Sequence, residues 1–191
     1  MPIPAPLKPL AQAKNSATGF TLLEAVLVIA VLAVLLGLTA PAMTGWQARH
    51  RVQAQAESLL DSLVLARSEA LRRQHRVTLC ARSQEGLCDP DGQWQQGWLV
   101  FVDANHNGLR DSGEVLLDTR EALPKGMQVG VSLTVKTYYA YNAEGRSATV
   151  QGAFMAGTWR FCVGSSSRAW RVVANALGKP RIESYTTEQC P

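Results

Sequence analysis

Four groups of residues in this 191-residue chain have types and spacings suited to chemistry. The first is Asp103-Ala-Asn105-His-Asn107-Gly108-Leu-Arg-Asp111-Ser-Gly-Glu114, which matches a twelve-residue calcium loop at positions one, three, five, six, nine and twelve. Oxygen donors at alternate positions, a glycine at the sharp turn and a terminal glutamate are what a hard cation needs. The same stretch also reads as a plain polar hairpin, because Asn107-Gly108 between two apolar runs is a strong turn signal. The second group is the four cysteines, Cys80, Cys88, Cys162 and Cys190, which allow three pairings. Cys80–Cys88 would close a short loop after a strand, and Cys162–Cys190 would tie the C-terminal tail to the sheet. Zinc is disfavoured: no CxxC pair occurs, and His50, His75 and His106 are scattered.

The third group is a single residue. Glu24 is the only charge between Phe20 and Ala40, and a carboxylate in an apolar helix costs about 2.5–3.5 kcal/mol on insertion scales. No Lys or Arg lies between Phe20 and Gly45, so its partner must come from elsewhere. Cleavage after Gly19 would create a cationic amine on Phe20, and Glu24 of one subunit could neutralise that amine on its neighbour. Glu24 is therefore an assembly device in this reading. The fourth group is the basic C-terminal part, where Arg146, Arg160, Arg168, Arg171, Lys179 and Arg181 face only Glu183 and Glu188. Residues 82–121 have the opposite balance, with three bases and eight acids. Arginines on a sheet face bind phosphates with salt-sensitive affinity, and they also serve as an ordinary solvated surface. Trp159, Trp170 and Tyr185 in the same part would cover apolar surface or contact a sugar. No Gly-x-Ser-x-Gly elbow, P-loop, HExxH or His/Cys constellation is present, so no catalytic residue is assigned and no enzyme is expected.

The elements that must carry these groups divide the chain in two. From Phe20 to Ala40 the sequence is apolar, and at about 1.5 Å per residue this helix would span roughly 30 Å, the thickness of a hydrocarbon core. No second stretch has that length, which excludes a multi-span transporter. Lys8 and Lys14, with no acid among residues 1–19, keep that leader on the cytoplasmic side. Val52, Ala56, Leu59, Leu60, Leu63, Val64, Ala66, Ala70 and Leu71 continue a helical stripe. One helix is predicted from Phe20 to about Arg76, bent near Pro41, with Arg67, Arg72, Arg73 and Arg76 favoring its C-terminal dipole. Beyond it the period becomes two. Strands are predicted at 77–81, 98–102, 115–118, 127–135, 138–142, 158–163, 169–174 and 181–185. A long helix packed against antiparallel sheet is an α+β design.

Two stretches resemble a known family. Gly19-Phe20-Thr-Leu-Leu-Glu24 is similar to the processing site of type IV pilins and type II secretion pseudopilins. Leu65-Ala-Arg-Ser-Glu-Ala-Leu-Arg, Val77-Thr-Leu-Cys80, Gly97-Trp-Leu-Val-Phe-Val-Asp103, Glu114-Val-Leu-Leu and Arg171-Val-Val-Ala-Asn with Gly178-Lys-Pro-Arg181 resemble the H-type pseudopilin (GspH/FimT) domain. The resemblance runs from Gly19 to about Ile182.

It implies a pilin-like fold and a leader of residues 1–19 removed by a prepilin peptidase, with N-methylation of Phe20. It further implies a transmembrane and filament-stem helix over 20–43 and a periplasmic globular domain over 44–191. The chain is expected in the bacterial inner membrane as a single-pass subunit, joining a pilus or pseudopilus with other minor subunits and the major subunit. All four cysteines would then meet an oxidising compartment, where disulfides persist. FimT-like members of some competent bacteria bind DNA through a C-terminal Gly-Arg-x-Arg stretch. Here Gly178-Lys179-Pro180-Arg181 has Lys in place of the first Arg, keeping the charge and losing the bidentate fork. Lys179, Arg181, Arg171 and Arg168 are the residues such binding would use.

Overall fold

Thr21 opens the long helix α1, which runs Leu22–Arg73. Its hydroxyl accepts the Glu24 N–H at 3.2 Å, an N-cap that satisfies one of the first turn's orphan donors and leaves Glu24 where the helix dipole favours a carboxylate. In the computed structural model the described residues are 19–164, 168–187 and 190, and for 36–46, 48 and 168 only the backbone is described. Residues 1–18 of the expected leader therefore lie outside the described residues, and Gly19 alone of it is described. The chain divides into two units between Met43 and Thr44; Pro41, where a bend is expected, lies in the first unit among residues of which only the backbone is described.

The helix ends at Arg73, three residues earlier than predicted. Gln74 takes the left-handed conformation, φ 55°, and its side-chain amide donates to the Leu71 carbonyl at 2.8 Å, a C-terminal cap. Arg76 is thus no helix-end cation. In the second unit, Val52, Ala56, Leu59, Leu63, Ala66 and Ala70 are buried at helical spacing. Burying each of the larger ones contributes about 1.5–3 kcal/mol. Val64 and Leu71, read as part of the same stripe, face outward instead; each lies one position past a buried residue, at the edge of the apolar arc.

Among the described residues eight strands follow: β1 (Val77–Ala81), β2 (Trp98–Val102), β3 (Leu116–Arg120), β4 (Met127–Val131), β5 (Tyr138–Tyr141), β6 (Gly157–Val163), β7 (Arg168–Ala174) and β8 (Pro180–Thr186). They form two antiparallel four-stranded sheets, ordered β3-β2-β1-β5 and β4-β6-β7-β8. Strand β1 is buried along its whole length. Val77, Leu79 and Ala81 join the helix in the main core, while Cys80 packs with Leu99 and Phe101 in a smaller second cluster. The two sheets share the main core with the helix, where Trp159 stands edge-to-face on both Trp94 and Tyr139, at 5.5 and 5.6 Å between ring centres. Trp159 is fully buried, so it neither covers surface nor meets a ligand. Burial also pushes the Tyr139 hydroxyl up to about 12, keeping that phenol neutral.

The strand predicted over 127–135 stops at Val131. Ser132 breaks it, donating its N–H to the Thr158 carbonyl and accepting the Thr158 N–H on its hydroxyl. A 3-10 turn, Leu133–Val135, then drops Val135 into the core. Gly157 permits this, since a Cβ there would stand 2.3 Å from a Val135 methyl.

Candidate functional site

The N-terminal end of α1 is an exposed apolar surface that carries one carboxylate. Gly19 and Phe20 precede the helix and are exposed, Phe20 by 84%. From Leu22 to Leu35 all residues are exposed, among them Leu22, Leu23, Val26, Leu27, Ile29, Leu32 and Leu35. A continuous apolar surface of this kind, interrupted by the single carboxylate of Glu24, calls for lipid or other subunits around it. Among the described residues, no helix is long and apolar enough to cross a membrane. The expected span extends over residues 36–43, whose side chains are not described.

A second candidate surface is the outer face of the β6-β7-β8 sheet. Register places Arg160 opposite Arg171 and Arg171 opposite Glu183. Like charges directly opposite each other repel, and Glu183 relieves this by taking Arg171 at 2.7 Å and Arg181 at 2.6 Å. Those two guanidinium groups, Arg181 first, hold the Glu183 carboxyl below its usual range. Arg171 also lies over the Tyr185 ring, 5.6 Å from its centre. Partial burial raises the Tyr185 hydroxyl, against the pull of Arg160 and Arg171. Three arginines thus surround one glutamate and one tyrosine.

Of the residues expected to bind DNA, Arg171 and Arg181 meet on this face. Lys179 is exposed in the β7–β8 turn, and the side chain of Arg168 lies outside the described set. Arg160 was missed as a site residue. Its signal is the matching parity of positions 160 and 171, which shows only once the strand pairing is known. Gly178 in that turn is structural: its φ is 72°, and a Cβ would meet the Gly145 carbonyl at 2.6 Å.

The acidic loop bridges β2 and β3, which pair as a hairpin. Asp103 is buried, its Oδ2 accepting from Arg76 Nε (3.0 Å), Thr78 Oγ1 (2.7 Å) and Gly108 N–H (3.1 Å). The Arg76 guanidinium also donates to the carbonyls of Thr149 (2.9 Å) and Ala148 (3.0 Å). Asn105 and Asn107 each donate a side-chain N–H to Asp111 Oδ2 at 2.7 Å. Glu114 accepts the Ala104 N–H (2.8 Å) and the Asp111 N–H (3.0 Å). Among the described residues no three His, Cys, Asp or Glu side chains are grouped to hold a metal.

The cysteines form two disulfides, Cys80–Cys88 and Cys162–Cys190, with Cα–Cα distances of 5.5 and 5.7 Å. The first abuts the acidic loop, where the Arg110 N–H points to the Cys88 sulfur at 3.3 Å.

The sequence pattern of the family described as Type II transport protein GspH matches residues 55–178, more than half the chain. The chain belongs to the GspH family. Residues 14–40 match the prokaryotic N-terminal methylation motif, which contains Gly19, Phe20 and Glu24. The type IV minor pilin FimU of Pseudomonas aeruginosa has a similar fold, with a TM-score of 0.52 at 19% identity over 76% of this chain and 96% of that one. The minor pseudopilin EpsH of the Vibrio cholerae type II secretion system aligns with a TM-score of 0.47 at 16% identity, over 70% and 97% of the two chains. The pilin-like protein PilA1 of Thermus thermophilus is 40% identical over 96 residues, 50% of this chain and 54% of PilA1. The chain spans about half the length of that curated relative. As a GspH family member it is one of a family of structural pilin subunits, with the helix-and-two-sheet fold of FimU.

Proposed function

We propose that this protein is a minor pilin or pseudopilin that helps initiate or cap assembly of a type IV pilus or type II secretion pseudopilus. In this reading a prepilin peptidase removes residues 1–19 and methylates Phe20. Residues 20–43 then sit in the inner membrane and later in the filament stem, and 44–191 form the periplasmic domain that contacts other minor subunits and the major subunit. The observation that carries it is the exposed apolar start of α1, with Glu24 in its first turn directly after the Gly19–Phe20 bond. A lone carboxylate on such a surface needs a cationic partner, and the new amine of a neighbouring Phe20 supplies one. The test is Glu24→Ala in the full chain. The variant should be processed after Gly19 and retained in the membrane while its share in sheared filaments or tip complexes falls at least tenfold. Normal incorporation would refute the pairing.

A second reading has the same scaffold binding DNA. What favours it is the gathering of Arg160, Arg171 and Arg181 on one sheet face with exposed Lys179 beside it. The ion pairs to Glu183 count against it, because they offset part of that charge.

A further inference from the structure

Asp103 is a fully buried carboxylate with one oxygen saturated and one without any partner. Its Oδ2 accepts three hydrogen bonds, including one from the Gly108 N–H in the middle of the loop. Its Oδ1 is enclosed and accepts none. A buried carboxylate oxygen left bare is costly and calls for an explanation, an ion being one. Asp103 is also the first position of the calcium-loop pattern, and the third, fifth and ninth positions converge: the amides of Asn105 and Asn107 both reach Asp111 Oδ2. Their two N–H dipoles stand where a cation would face that carboxylate. The side-chain oxygens of Asn105 and Asn107 accept the Asn107 and Leu109 N–H groups at 3.1 and 2.7 Å, and each amide oxygen keeps a second lone pair for a cation that displaces the contacts to Asp111.

We propose that this loop is a weak calcium site with mixed ligands: Asp103 Oδ1, the side-chain oxygens of Asn105 and Asn107, and Asp111, completed by water. Among the described residues no three His, Cys, Asp or Glu side chains are grouped to hold a metal, so this set relies on neutral oxygens, which calcium accepts. Glu114 departs from the usual pattern. Both of its oxygens hold backbone N–H groups at the start and at the ninth position of the loop, so it closes the loop as a clasp and is not a ligand. Two neutral ligands, and an Arg76 that already offsets Asp103, place the dissociation constant in the range of about 10⁻⁴–10⁻³ M typical of extracellular modules. Magnesium, which demands near-octahedral geometry and keeps its waters, is a poor fit. This inference does not depend on the assembly reading above.

The ring of Tyr138 lies against the loop, 3.3 Å from where a Cβ on Gly108 would stand, close enough to sensitise a bound lanthanide. The experiment is a Tb³⁺ titration of the full chain in detergent micelles with tyrosine excitation, followed by competition with Ca²⁺ and with Mg²⁺. The expected result is sensitised terbium emission, displaced by Ca²⁺ at roughly 0.1–1 mM and unaffected by equal Mg²⁺. Asp111 is exposed, so Asp111→Ala should keep the fold by circular dichroism and weaken binding at least tenfold. Asn107→Asp should tighten it by a similar factor. Absence of sensitised emission, or emission and competition that both variants leave unchanged, overturns the proposal.

Discussion

Arg76 is the residue whose removal the fold should feel most sharply for its size. Its guanidinium is 5% exposed and meets a fully buried Asp103, and its other two nitrogens hold the Ala148 and Thr149 carbonyls. Arg76→Met keeps much of the volume while stranding a buried carboxylate, a loss of about 3–5 kcal/mol for a broken buried pair. Two carbonyls losing their donors add about 0.5–1.5 kcal/mol each, so about 4 kcal/mol is a lower working figure. Against a total stability of about 5–15 kcal/mol, this is a large share. At about 2–4 °C per kcal/mol for a chain of this size it lowers the melting temperature by roughly 8–16 °C. The assay is urea unfolding followed by tryptophan fluorescence, alongside a thermal scan. The double variant Arg76→Met/Asp103→Leu supplies the diagnostic, because deleting the stranded charge should recover part of the loss. A single-variant cost under about 1 kcal/mol, or a double variant equal to the sum of both singles, would refute the argument, since contacting residues in one network do not add.

Two other perturbations have defined outcomes. Glu69 is held at about 2, below its ordinary 4.5, by hydrogen bonds from Arg72 and then Arg73. Its contribution is therefore complete above pH 4.5 and lost as pH falls through about 2. The stability gap between wild type and Glu69→Gln, measured by urea unfolding at stepped pH, should stay flat from neutrality to about 4.5 and close below it. For the DNA reading, duplex binding by the full chain in micelles should weaken with salt, and Lys179→Glu/Arg181→Glu should lower the slope of log affinity against log salt by about 2. Undetectable binding at low salt would remove that reading and leave the basic face as solvated surface.

The local pattern of the chain carried most of its elements. Val52, Ala56, Leu59, Leu63, Ala66 and Ala70 reveal the buried helix stripe through spacing alone, and period-two alternation locates all eight strands to within a few residues. Strand partners are a different matter. Alternation says that Met127–Val131 and Tyr138–Tyr141 are extended, but which sheet each joins depends on contacts far away in sequence. That is why the chain read as one continuous strand over 127–135 when it leaves one sheet at Ser132 to reach the other. Arg76 was hidden for the same reason. Beside Arg72 and Arg73 it looks like a third helix-end cation, and its true role rests on Asp103, 27 residues on, and on carbonyls more than 70 residues on. The site motif at Gly19–Glu24 was legible because its chemistry is contiguous; Arg160 was not, because its partner is a cross-strand neighbour.

The order of strands also bears on how the molecule can come apart. Strand β4 belongs to the second sheet and β5 to the first, so the chain crosses between sheets three times between β3 and β6. No single cut there yields two fragments each holding a complete sheet. A nick after β3 strands β5 with the wrong half, and a nick after β5 strands β4. The sheets are interlocked like two hands with one finger exchanged, and neither can serve as an autonomous folding unit. Residues 44–191 should accordingly melt in one step, and proteolysis should leave either the intact domain or small peptides, with no half-sized survivor.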